Sequence, residues 1–210
     1  MGQTVSEFEK LKKMFVTQSL PISITYSFEE QVFFGAVYHN DTTYEKEGDS
    51  TILVIEEVYD TNSYQKDSTL LIDRNLAQKY LLDKNEPVYY IEDWANNDTA
   101  YSSYYAVCKF DVSNKYYGLI YERLFMAQYY PASEKFICVF NKKGKLVSKC
   151  RIASFIYGGS GIGDSGGRVP WFPYEESVID KNFKITIHNS YGDPDKSYKI
   201  EQNGEIVPEK

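Results

Sequence analysis

Along most of this chain, apolar and polar positions alternate with a period of two. The segments "QVFFGAVYH", "TILVIEEVY", "PVYYIEDW", "SSYYAVCKFDV", "YYGLIYERL", "EKFICVFN", "KLVSKCRIASF", "FKITIHN", "SYKIEQ" and "EIV" each read as a strand, because alternate side chains of an extended backbone share a face. Short polar turns separate them, which is the spacing of antiparallel hairpins and not of strand–helix–strand units. Two turns carry specific signals. Asn203-Gly204 in "QNGE" predicts a two-residue turn with both residues at positive φ, and "NKKGK" at Asn141–Lys145 predicts a three-residue loop with Gly144 left-handed.

A helical period appears twice. Ser6 to Glu9 has the form of a capping box, and Val5, Phe8, Leu11 and Phe15 recur at helical spacing. Together they predict a short helix from about Ser6 to Phe15, with Pro21 barring any continuation. "DRNLAQKYLL", Asp73 to Leu82, predicts a second helix with Asp73 as its cap and Leu76, Tyr80 and Leu81 toward the core.

The expected fold is mainly β: an antiparallel meander of repeated hairpins with a short N-terminal helix. Residues 1–20 form the helix and its lead-in, and residues 21–210 one β-rich domain. Within that domain "FDVSNKYYGLIY" is echoed by "IDKNFKITI", and "FNKKGKLV" by "IEQNGEIV", in the same order. Residues 111–149 and 180–209 therefore look like two copies of one meander. Repeated meanders suggest propeller-like blades, because one small sheet cannot bury its face alone. A β-sandwich built from the same hairpins is the alternative.

Composition narrows the function classes. The 20 Tyr and 12 Phe favour strands, where flat side chains pack on a pleated surface. A net charge of −7 argues against a nucleic-acid partner, which needs a basic stripe to displace counterions. No apolar run approaches the ~18 residues of a membrane helix, so no membrane span is expected. Cys108, Cys138 and Cys150 show no CxxC spacing, and only His39 and His188 could join them; neither a metal site nor a cofactor is expected. A loop of Lys142, Lys143 and Gly144 sets Cys138 opposite Ser148 and Phe136 opposite Cys150. That register predicts three free thiols, with Cys150 buried beside Leu146 and Ile152.

The succession "SSYYAVCKFDVSNKYYGLIYERL", "FICVFNKKGKLVSK", "IDKNFKITI" and "YKIEQNGEIV", after the opening "FEKLKKMFVTQSLPISI", resembles a family of uncharacterised exported proteins from gut Gram-negative anaerobes, many of them lipoprotein-like. The resemblance covers most of the chain, through hairpin signatures and not catalytic ones. It implies a β-rich fold and a periplasmic, outer-surface or secreted location. It brings no activity and no site residues. The opening "MGQTVSEFEK" contains no apolar leader, so a native start at Met1 would instead place the protein in the cytoplasm.

The sharpest chemical candidate is "GDSGG", the pentapeptide around the nucleophile of chymotrypsin-like proteases. There Ser165 would attack, with the amides of Gly163 and Ser165 as oxyanion hole, His39 as base and Asp111 as orienting acid. The family's contexts around the histidine and the aspartate are missing, and Arg168 stands where its proline follows. Gly158, Gly159, Gly161, Gly163, Gly166 and Gly167 explain the same letters as a loop in which Asp and Ser are ordinary turn residues. Pro170 and Pro173 bar the helix that a phosphate-binding loop requires. The acidic stretches "HNDTTYEKEGDS" and "YGDPDKS" read as solvated turns, and His188 as an exposed strand residue.

"RVPWFPYEES" points elsewhere. Its prolines stiffen a loop carrying Trp171, Phe172 and Tyr174, and rings held in a stiff loop bind sugars or protein surfaces at low entropy cost. The leading expectation is a non-enzymatic exported or cell-envelope binding or structural module whose partner is a glycan or protein surface. The alternatives are a serine hydrolase using Ser165 and a cytoplasmic protein-interaction domain.

Overall fold

The N-terminal helical period folds as α1 (Glu7–Lys13), capped by Ser6, whose hydroxyl accepts from the Glu9 N–H at 3.2 Å. Phe8, Leu11 and Phe15 are its buried stripe. The computed structural model describes residues 6–26, 39–47, 50–58, 66–82, 89–91, 99–126, 132–156, 160–162, 168–170 and 174–209. A second helix, α2 (Arg74–Tyr80), begins at Asp73, whose carboxylate accepts from the N–H groups of Asn75 and Leu76. Ala77 and Leu81 are buried, with Leu76 and Tyr80 packed partly against them. The helices meet through Phe8 and Tyr80, whose ring centroids lie 5.6 Å apart.

The period-two segments form strands. Short pieces come first: β1 (Val16–Thr17), β2 (Ile22–Ile24), the ribbon β3 (His39–Glu47) with β4 (Ser50–Val58), and β5 (Tyr89–Ile91). A four-strand meander follows: β6 (Thr99–Asp111), β7 (Tyr116–Met126), β8 (Ala132–Asn141) and β9 (Leu146–Ile156). After the ribbon β10 (Ser160–Ile162) with β11 (Arg168–Pro170) comes a second meander: β12 (Tyr174–Ile179), β13 (Lys184–Asn189), β14 (Lys196–Ile200) and β15 (Ile206–Pro208).

Among the described residues 11 strands share one sheet, ordered β1-β6-β7-β8-β9-β12-β13-β14-β15, with β5 on β6 and β2 on β12. The meanders join where Phe155 pairs with Tyr174 and Ser154 with Glu175. The second meander also returns to the first: Ser148 Oγ donates to the Gly204 carbonyl at 2.6 Å, and Gly204 lies against Tyr116 and Val139.

Alternation along β7 feeds two cores. Leu119 and Tyr121 face α1 and α2 with Cys138 and Phe140, while Ile120 and Leu124 face the opposite way with Ile137, Val139, Ile179 and Ile185. Residues of α1 and α2 thus cluster on one face of β6–β8, and Ile179, Ile185, Ile187 and Ile200 of the second meander join the cluster on the other.

The turns correct one expectation. In Asn141–Lys145 the Asn141 N–H donates to the Lys145 carbonyl and Gly144 N–H to the Asn141 carbonyl; Glu201–Glu205 repeats both bonds. Gly144 and Gly204 have φ of +81° and +84°, and Asn203 is not left-handed. "QNGE" therefore closes a three-residue loop with a glycine bulge, like "NKKGK", and not a two-residue turn. Glycine at the fourth position supplies the one positive φ that this loop needs.

The bulge also corrects the cysteine register. Phe140 pairs with Leu146, but beyond the extra residue Val147 the partners become Val139 with Ser148, Cys138 with Lys149 and Ile137 with Cys150. Cys138 faces the helices, whereas Cys108 and Cys150 belong to the other core, and Cys150 is half-buried and not buried. All three thiols are free. Burial pushes the thiol pKa of Cys108 up to about 12 and that of Cys150 to about 11, which suppresses the reactive thiolate at neutral pH. Titration with an aromatic disulfide reagent should find three thiols in denaturant and slow, incomplete reaction in the native state. One thiol in denaturant would mean a disulfide and overturn the three free thiols.

"HNDTTYEKEGDS" is also corrected. Its first nine residues are strand β3, paired with β4 from His39↔Val58 to Glu47↔Ser50. "QVFFGAVYH" enters the described residues only at His39.

Candidate functional site

Of the three rings singled out, Tyr174 is described, while Trp171, Phe172 and the "GDSGG" serine, Ser165, lie outside the described residues. Tyr174 is not in a loop. It opens β12, pairs with Phe155, and leaves 37% of its surface exposed. Its ring stacks on Phe155 with centroids 6.3 Å apart and planes 10° from parallel. Phe155 in turn meets Tyr26 edge-on at 5.4 Å. β11, which precedes Trp171, pairs with β10 from Ser160↔Pro170 to Ile162↔Arg168, so part of the expected loop is a ribbon.

The inner end of this aromatic ladder is charged. Lys135 Nζ sits 4.0 Å from the Tyr26 ring centroid and donates to the Thr25 carbonyl at 2.8 Å. The Tyr26 hydroxyl donates to the Ser133 carbonyl at 3.0 Å, and Ser133 Oγ donates to Glu122 at 2.7 Å. Glu122 is 1% exposed and forms an ion pair with Lys66, whose ammonium lies 5.5 Å from the Tyr105 ring centroid. Low dielectric makes an unpaired charge very costly, so Lys66 and Ser133 are the groups that let Glu122 stay buried. Neighbouring register rows set these contacts: Glu122 stands opposite Lys135, Leu124 opposite Ser133, and Ser133 opposite Phe155.

A second polar row crosses the same strands. Arg123 and Arg151 both bind Glu134, and Arg151, Lys196 and Ser154 converge on Glu175 at 2.8, 2.8 and 3.1 Å. Burial alone would raise the Glu175 pKa, but Lys196, Arg151 and Ser154 outweigh it and hold the carboxyl below its ordinary value. The row is satisfied within itself and ties β7, β8, β9, β12 and β14 together.

Of the residues imagined as a protease triad, Ser165 lies outside the described residues, and Asp111 does not have the setting of an orienting acid. Asp111 is 70% exposed and pairs with Lys142 at 2.8 Å, where an orienting aspartate would be buried against a histidine. His39 lies on the separate β3–β4 ribbon. His188 is exposed on β13, its Nδ1 2.7 Å from Asp195. Among the described residues no group of three or more His, Cys, Asp or Glu is placed to hold a metal, and no helix is long and apolar enough to cross a membrane.

Tyr26, Glu122, Ser133 and Lys135 were not singled out in the sequence, although a signal was present. Glu122 falls in phase with Ile120 and Leu124, and Lys135 with Ile137 and Val139. Charges at inward positions of two apolar strands call for partners. Compared with known proteins, the chain matches no family model, no curated protein and no solved structure. The class is therefore set by architecture alone: a mainly β chain whose largest sheet among the described residues is an antiparallel meander joined by the parallel strand β1, with a short N-terminal helix.

Proposed function

We propose that this protein is a non-enzymatic, exported or cell-envelope binding module that uses Trp171, Phe172 and Tyr174 to hold a glycan or a protein surface. The observation that carries the reading is the exposed Tyr174 ring, stacked on the buried Phe155. A ring supported in this way loses little side-chain freedom when a ligand covers it, so more of the contact energy appears as affinity. The periplasmic, outer-surface or secreted location rests on the resemblance described above. For the architecture, the contact of Gly204 with Tyr116, Val139 and Ser148 supports a sandwich-like reading over a propeller-like one, since it lays the second meander across the first.

The test is a binding screen against a glycan array and envelope-protein extracts, with wild type, Trp171→Ala and Tyr174→Ala side by side. Each substitution should weaken a genuine ligand by about 1 kcal/mol, or five- to tenfold, as aromatic contacts do. Binding unchanged in both variants would sink the assignment, and unfolding temperatures measured in parallel separate a lost contact from a lost fold.

A further inference from the structure

Lysines gather at the end of the sheet away from Tyr174. There α1 meets the β6–β7 and β8–β9 turns: Gly144 packs on Phe8, the Lys142 N–H donates to the Lys115 carbonyl at 3.0 Å, and Lys109 Nζ donates to the Lys12 carbonyl at 3.0 Å. Tyr117 stands among them, its ring centroid 4.6 Å from Lys12 Nζ and 3.2 Å from Lys142 Nζ. The nearby acids are occupied, Glu9 by Lys12 at 2.6 Å and Asp111 by Lys142 at 2.8 Å. Around this centre Lys13, Lys115, Lys143 and Lys145 are exposed, with no carboxylate partner among the described residues. Glu201 and Glu205 lie on the β14–β15 turn, whose Gly204 packs on Tyr116, and alternation sends Tyr116 to the sheet face opposite Tyr117. Val16, at the end of α1 and next to the Thr17–Lys109 pair, is 65% exposed.

We propose that this lysine-rich end docks on an anionic lipid bilayer, with Val16 at the lipid contact. The patch consists of turn tips, a helix end and the two-residue end strand β1, too short an edge for a peptide to add to as a strand, whereas scattered lysines suit a surface carrying many phosphates. A chain of net charge −7 is repelled by such a surface in most orientations, so the positive end also fixes how the molecule stands. Leu146 at the near end of β9 and Phe155 toward its far end are about 30 Å apart. Docking in this way points Tyr174 into solution.

The experiment is co-sedimentation of the full chain with vesicles of phosphatidylcholine alone and of phosphatidylcholine mixed with phosphatidylglycerol. Binding is expected only to the mixed vesicles, and salt should release it. Replacing Lys13, Lys143 and Lys145 together by Gln should weaken the partition by about fivefold per lysine. Lys143→Gln alone should cost one such factor, and Lys196→Gln, the same single charge change at the other end, should leave the partition unaltered. No binding to the mixed vesicles, equal binding to both kinds, or equal loss with Lys196→Gln would each overturn the proposal. Capture by immobilised polyglutamate without vesicle binding would overturn it in favour of an acidic protein partner. Unfolding temperatures of the variants are measured alongside, and failure here leaves the Tyr174 screen untouched.

Discussion

Gly144→Ala should destabilise the protein by about 2–4 kcal/mol and undock α1. Two costs act at one position. The residue has φ of +81°, and an added Cβ would stand 2.5 Å from Cγ of the buried Phe8. A positive φ costs an alanine about 1 kcal/mol, and forcing a methyl into a filled core about 1–3 kcal/mol. Two other turn glycines separate these terms. Gly192 has φ of +82° with nothing within 4 Å, and Gly204 has φ of +84° with Tyr116 at 3.0 Å. Urea unfolding of the three alanine variants should rank the losses Gly192 below Gly204 below Gly144. Equal losses at Gly192 and Gly144 would show that the Phe8 contact is not felt.

Glu122→Ala should cost about 3–5 kcal/mol, the usual result of removing one member of a buried ion pair. The loss exceeds that of the hydrogen bonds themselves, because Lys66 and Ser133 keep their polar groups and lose the carboxylate that satisfied them. Replacing both charges, Glu122→Leu with Lys66→Met, should recover most of the stability. A single substitution as mild as the double would mean that water or another group already compensates Lys66. Thermal unfolding of the two singles and the double closes the cycle.

The sequence made the hairpins legible because alternation and turn chemistry are local. The strands β6 to β9 and β13 to β15, the Ser6 and Asp73 caps and the left-handed Gly144 follow from neighbours a few residues apart. What it hid was non-local. The bulge at Val147 shifts Cys150 from its expected partner, and no residue type announces an extra residue on a strand. β12 was hidden because "YEESVI" begins beside two prolines and carries two adjacent glutamates, and Glu175 becomes tolerable only once Arg151 and Lys196 arrive from β9 and β14. The candidate site was half legible. Tyr174 was visible as a ring in an odd place, whereas Tyr26, Phe155 and Lys135 join it only through the register of four strands.

Phe183 bears on how far each hairpin is self-sufficient. The β12–β13 turn repeats the bonds of its sister turns, the Asp180 N–H to the Lys184 carbonyl and the Phe183 N–H to the Asp180 carbonyl. Where they carry glycine, it carries a phenylalanine at φ of 63°. That conformation costs a residue with a side chain about 1–2 kcal/mol. Here it is offset by packing against the main core and by the Ile200 N–H bonded to the Phe183 carbonyl at 3.0 Å. The β8–β9 and β14–β15 hairpins can close on their own turn chemistry. The β12–β13 hairpin depends instead on β14 and on the core that it completes, so Phe183→Gly is expected to let it close on its own.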